Sequence, residues 1–250
     1  MPIYDKPVWA LMREMVEDLA LKPGEVLSRE RVQSWFRSKY PKIKPGTIQA
    51  HLIRMSTNAP SRVHYHGKPG TDDLLFQLDG SHFRLYSPAE DAPPIKEDGQ
   101  APADDHAELE EGEVRGSEFA FEADLRDYLA NNLGLIEPKL TLYEEEGITG
   151  VEFPVGGRFI DILAVAPNRD LVVVELKVSR GYDRTVGQLL RYMGWIEENL
   201  AEPGRQVRGV IVAREISEDL LLACRRLTNV ALFTYTLSVA VNRVSKVAGA

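Results

Sequence analysis

The sequence predicts an α/β protein in two parts: a mixed sheet flanked by helices over residues 117–250, and a separate small helical domain closed by a hairpin over residues 1–87. Three observations lead there. Apolar residues recur at helical spacing before residue 60. Helical and strand patterns alternate after residue 117. Between them residues 88–116 hold four prolines and no aromatic residue, too little apolar surface to offset the entropy of ordering.

In the first part, Val8, Leu11, Met12, Met15, Val16 and Leu19 recur at i, i+3, i+4, i+7, i+8 and i+11, one buried stripe of a helix. Val32, Trp35, Phe36 and Tyr40 make a second stripe after Ser28, whose hydroxyl suits an N-cap. Ile48, Leu52 and Met55 make a third, entered through Lys44-Pro45-Gly46-Thr47. The run LLFQLDGSHFRLY reads as a β-hairpin on a two-residue Asp79-Gly80 turn. Three short helices closed by a hairpin resemble a winged helix-turn-helix domain, and the resemblance makes the third helix the reader. Burying Ile48, Leu52 and Met55 is expected to leave Thr47, Gln49, His51 and Arg54 outward, able to bond base edges and phosphates of duplex DNA. Arg62, Lys68 and, in the wing, Arg84 extend that basic surface.

The middle stretch reads as an extended tether. Residues 88–114 carry ten acids against Lys96 alone, a balance of −9, so the net charge of −8 belongs mostly to it; residues 1–87 balance at +4 and residues 115–250 at −3. The alternative is an acidic mimic of DNA phosphates that lies across a basic surface.

In the second part, FAFEADLRDYLANNLG suggests a helix ended by Gly134, and GVEFPVGG, RFIDILAVA and DLVVVELKV suggest three strands, the last two joined at Pro167–Asp170. A helix from about Asp183 to Leu200, a strand at QVRGVIVA, a helix at SEDLLLACRRL and a strand at VALFTYTLS complete the order. Side chains alternate along a strand, so Val172, Val174, Leu176 and Val178 share one apolar face, while Val173, Glu175 and Lys177 share the other. If the two strands pair across the Pro167 to Asp170 turn, Asp161 comes level with Glu175 or nearly so. Two carboxylates then repel each other in a partly dry site unless a cation lies between them, and hard oxygen ligands suit magnesium. Lys177 beside them can orient a water and stabilise charge on a phosphate. Glu-x-Lys alone is weak, since Glu137-Pro138-Lys139 repeats it where proline argues against a central strand.

The set Asp161, Glu175 and Lys177, followed by Gly187-Gln188-Leu189-Leu190-Arg191-Tyr192, resembles the PD-(D/E)XK nuclease superfamily, with a restriction-endonuclease-like sheet. The phrases GRFIDILAV and GQLLRYMGW are most similar to the catalytic domain of NucS-like (EndoMS-like) endonucleases. The resemblance implies a metal-dependent DNA endonuclease in which Asp161 and Glu175, with the Leu176 carbonyl, ligate Mg2+, with Mn2+ as a substitute. It also implies that Lys177 serves the attacking water, that Gln188 orients the site from the next helix, and that Glu122 completes it from the first. Arg191 is a phosphate candidate, while Tyr192 and Trp195 are expected to pack on the sheet. NucS-like proteins carry a β-rich region ahead of the nuclease, so mismatch specificity does not carry over. Restriction-like or modification-dependent cleavage, repair of mismatched or branched DNA, and a non-catalytic DNA-binding regulator are the readings left. A homodimer is expected if both strands are cut.

The start of the chain lacks a signal-peptide layout and no apolar run approaches the roughly 20 residues that span a bilayer, so no membrane association and a cytoplasmic location are expected. One cysteine, Cys224, excludes an internal disulfide and a Cys-rich zinc site, and is expected to be a small buried residue.

Overall fold

A computed structural model describes residues 4–68, 70–95, 115–177 and 182–237. The amino-terminal unit runs α1 (Val8–Asp18), β1 (Leu27–Ser28), α2 (Arg29–Lys39), α3 (Pro45–Arg54), β2 (Leu75–Gln77) and β3 (His82–Leu85), its strands antiparallel in the order β1-β3-β2. This is winged-helix topology. The three apolar stripes close on one core of Val8, Leu11, Met12, Met15, Val32, Phe36, Ile48, Leu52 and Met55, with Phe83 of the hairpin across it. Ser28 caps α2 as expected, its hydroxyl accepting from the Arg31 N–H at 3.3 Å, and Pro45 sits at the start of α3, where its missing N–H leaves no bond unmade.

The hairpin differs from expectation. Leu78 N–H donates to the His82 carbonyl at 2.9 Å, so three residues close the loop instead of two. The Asp79 carboxylate, accepting from the N–H groups of Ser81 and His82 at 2.7 and 2.9 Å, makes the turn in place of a primed Asp-Gly pair. The start of the expected tether is pinned: Asp91 pairs with Arg84, and Ile95 N–H donates to the Thr57 carbonyl at 2.9 Å. Residues 96–114, on which the tether and phosphate-mimic expectations rest, lie outside the described residues, as does Val178.

The carboxy-terminal unit runs α4 (Arg115–Asn131), β4 (Thr141–Leu142), β5 (Glu144–Glu145), β6 (Ile148–Thr149), β7 (Val151–Val155), β8 (Arg158–Val165), β9 (Leu171–Lys177), α5 (Tyr182–Asn199), β10 (Val207–Ala213), α6 (Glu218–Cys224) and β11 (Val230–Thr234). Its sheet is mixed, in the order β11-β10-β9-β8-β4, with β7 also on β8 and β5-β6 a separate hairpin. The β8–β9 and β7–β8 pairs are antiparallel, while α5 and α6 are the crossovers of the parallel β9–β10–β11 run. One face of the sheet, with Ile162, Ala164, Val172, Val174 and Leu176, packs under Leu125 and Leu129 of α4. The other, with Ile160, Leu163, Val173 and Ile211, packs under Leu189, Tyr192, Met193 and Ile196 of α5. Cys224 is buried, as expected. No helix among the described residues is long and apolar enough to cross a membrane.

The largest correction concerns α3. Thr47, Gln49, His51 and Arg54 were expected to face outward, and all four are buried, as is Arg62. The reason is a second stripe on that helix, Gly46, Ala50 and Ile53 at i, i+4 and i+7, which makes it apolar on both sides. Ala50 and Ile53 join the core of Phe153, Ile160 and Leu200 in the carboxy-terminal unit. A Cβ on Gly46 would stand 3.2 Å from the Asn199 carbonyl oxygen, a tight contact that glycine avoids at this approach. The polar side chains between them find partners across the junction. Thr47 Oγ1 donates to Glu145 at 2.8 Å, and Arg54 bonds Asp72 through Nε and Nη2 at 3.1 and 2.9 Å while Nη1 reaches the Glu146 carbonyl. Arg62 pairs with Asp73 at 2.7 Å. Arg84 is engaged with Asp91, whereas Lys68 and Arg191 are exposed.

His51 gives this junction a pH signature. Its Nδ1 lies 3.0 Å from the Thr47 carbonyl, Nε2 stands 3.8 Å from Glu146, Arg54 and Asp72 flank it, and burial pulls its pKa down to about 4. The folded state thus holds His51 neutral while the unfolded chain protonates it below about 6.5. Its contribution is present above about pH 6.5 and is lost as pH falls through about 4, up to about 3 kcal/mol in all. Urea unfolding of wild type and His51→Gln between pH 4 and 7 checks this: the variant is expected to show the flatter profile.

Candidate active site

The β8–β9 ladder runs from Val165–Leu171 to Ile162–Val174, and Asp161 and Glu175 are the next residue of each strand beyond that last pair. The Ala166 N–H donates to the Asp170 carbonyl at 2.9 Å, so three residues, Pro167 to Arg169, close the turn and set that register. Asp170 secures it by donating its N–H to the Asn168 side chain at 3.1 Å and accepting from Gln206 N–H at 3.0 Å. Asp161 Oδ2 accepts the Leu176 N–H at 2.7 Å, tying the first carboxylate to the strand that carries the second. Glu175 is buried at 6% exposure, and its Oε2 has no hydrogen-bond partner among the described residues. Burial pushes the pKa of Asp161 up to about 7, helped by the nearby charge of Glu122. Burial and then Asp161 itself push Glu175 well above the carboxylate range, with Lys177 opposing.

From α5, Gln188 Nε2 donates to the Tyr192 hydroxyl at 2.9 Å, and burial and the facing Glu175 push that phenol up to about 12. Gly209 on β10 seats this helix: a Cβ there would meet Met193 Sδ at 2.7 Å. Asp161, Glu175, Lys177, Gln188 and Glu122 are thus brought into one neighbourhood. Thr47, Gln49, His51, Arg54 and Arg62 are not: Thr47, His51 and Arg54 face the β5–β6 hairpin, Arg62 pairs with Asp73, and Gln49 is buried. Tyr192 packs on the sheet as expected and also faces Glu175.

An orphaned, buried carboxylate oxygen beside a second carboxylate is a donor set that calls for a cation. Among the described residues no group of three or more His, Cys, Asp or Glu is gathered tightly enough to hold a metal. Two carboxylates are a hard oxygen donor set, of the kind that suits a magnesium-like ion and not zinc.

Residues 121–232 match the family model described as the Endonuclease NucS C-terminal domain. The second domain is NucS-like. The PD-(D/E)XK fold is the NucS fold. Endonuclease NucS of Pyrococcus furiosus is 32% identical over 118 residues, 46% of this chain and 38% of that protein, so the chain spans well under half the length of this relative. A crystal structure of a repair endonuclease from Pyrococcus abyssi aligns at 24% identity and TM-score 0.37, over 52% of this chain and 49% of that one. A structure of an EndoMS–dsDNA complex aligns at 22% and 0.38, over 62% and 55%. Residues 7–85 match a different model, a domain of unknown function (DUF7669), so the winged helix lies outside the NucS-like match.

Two residues near the site were missed by sequence reasoning. Arg126 stands four residues after Glu122, on the same face of α4, and Glu152 lies on β7 beside Asp161. The strand pairing of RFIDILAVA with GVEFPVGG, followed residue by residue, would have revealed Glu152.

Proposed function

We propose that the chain is a divalent-metal-dependent DNA endonuclease whose site is Asp161, Glu175 and Lys177. The observation that carries this is the buried, unpartnered Glu175 Oε2 beside Asp161, on a chain similar to NucS endonucleases. Asp161 and Glu175, with the Leu176 carbonyl, would hold Mg2+ or Mn2+; bound there, the ion makes water nucleophilic and offsets charge on the phosphate. Lys177 lies close enough for its charge to act on Glu175, and its ammonium can hold a water or phosphate oxygen in place. Gln188 and the Tyr192 hydroxyl border the same carboxylate and orient what enters from the α5 side. Lys68 and Arg191, both exposed, remain the DNA-backbone candidates of the expected set.

With α3 buried, sequence reading by that helix has no open surface, so the substrate is duplex DNA selected at or near the nuclease domain. The test is a cleavage screen of the full chain on unmodified, methylated, mismatched and branched duplexes, with Mg2+, Mn2+ or EDTA. Cleavage in metal that EDTA abolishes is expected; failure on every substrate with either metal would overturn the reading. Gel filtration of the same preparation tests the homodimer.

A further inference from the structure

Glu152 breaks the strand it sits in. β7 and β8 pair at Val151–Ile162 and at Phe153–Ile160, but Glu152, opposite Asp161, has φ +47°, a left-handed conformation unusual for a residue with a side chain. Backbone strain of this kind persists only where surrounding contacts hold it, and here α4 and the Ser61–Tyr65 segment do. Glu152 Oε1 takes Arg126 of α4 in an ion pair, and Oε2 accepts the Ser61 hydroxyl at 2.6 Å with His64 Nε2 at 3.6 Å. The Tyr65 hydroxyl donates to the Glu152 carbonyl at 2.8 Å. Ser61, His64 and Tyr65 all belong to the amino-terminal unit. Burial opposes ionisation of Glu152, yet His64 and Arg126 hold its pKa down at about 2, so it stays charged.

We infer that Glu152 is a positioning residue: through Arg126 it sets α4, and with it Glu122 one turn earlier, against Asp161 and Glu175, and the docked winged helix holds Glu152 in that pose. The charges of Glu122 and Arg126 both reach Asp161, and Glu122 also reaches Glu175. The winged helix thereby acts as a brace for the nuclease site through Ser61, His64 and Tyr65. This inference rests on the metal-site reading above, and it makes a prediction that simple charge counting reverses.

Removing a cation near a metal site tightens metal binding if only electrostatics operates. Positioning requires the opposite. Mn2+ affinity of the full chain, measured by titration calorimetry without DNA, is expected to fall about 10-fold in Arg126→Met. Arg126→Lys, which keeps the cation, is expected to recover most of it, and Ser61→Ala to lose a smaller part. Equal or tighter Mn2+ binding by Arg126→Met overturns the inference. Asp161→Ala is the control for the site itself. If wild type binds no Mn2+, the metal reading fails, and hydrogen exchange then decides the positioning separately: amides of residues 122–131 should lose protection in Arg126→Met and in Ser61→Ala. Unchanged protection in a folded Ser61→Ala protein overturns the brace. The serine variant removes one hydroxyl and serves if Arg126→Met does not fold.

Discussion

Asp161→Ala and Lys177→Ala are each expected to lower the rate of DNA cleavage by about 10²–10³-fold or more, with the fold unchanged. They are expected to do so differently. Asp161→Ala removes one of two carboxylates in a buried pair, so it should also abolish Mn2+ uptake and relieve the repulsion that raises the Glu175 pKa. Lys177→Ala leaves both carboxylates and should keep Mn2+ binding while losing turnover. Calorimetry beside single-turnover cleavage separates the two. Lys177→Ala cutting at the wild-type rate would remove the ammonium from the chemistry.

Arg54→Ala is expected to destabilise the protein by about 3–5 kcal/mol, because it strands the fully buried carboxylate of Asp72 without its counter-charge. The loss should be larger than contacts within the winged helix suggest, since Nη1 also binds the Glu146 carbonyl of the β5–β6 hairpin. Urea unfolding measures it. An arginine on an open reading helix would leave stability within about 0.5 kcal/mol and change DNA affinity instead, so a stable Arg54→Ala protein with weakened DNA binding would mean that α3 is free in solution.

The closeness of the two carboxylates was legible in the sequence because alternation along a strand and a short turn constrain register without tertiary information, while the closing Ala166–Asp170 hydrogen bond that sets it was not. The winged helix was legible for the same reason, three stripes at helical period. The docking of α3 was not read because Gly46 and Ala50 carry little hydrophobic signal beside Ile48 and Leu52, although with Ile53 they form a complete second stripe. Polar residues on that face read as solvent-facing, whereas Thr47 and the Nη1 of Arg54 bond a hairpin nearly a hundred residues away in sequence, and His51 bonds the Thr47 carbonyl of its own helix. The short strands β4 to β6, two residues each, hold too few side chains to show a period. Glu152 needed the pairing of GVEFPVGG with RFIDILAVA followed residue by residue across Gly156 and Gly157, whereas its left-handed φ has no signal in the sequence.

The approach of Gly46 to Asn199 and Leu200 bears on how such a chain can be altered or recombined. A winged helix hung on a tether could be exchanged for another reader and leave the nuclease intact. This one is joined by a helix whose outer stripe completes the packing over β7 and the end of α5. Separating the two units would expose Phe153 and Leu200 on one and Ala50 and Ile53 on the other. A graft of a foreign reader would therefore have to bring a stripe that packs there as Gly46, Ala50 and Ile53 do.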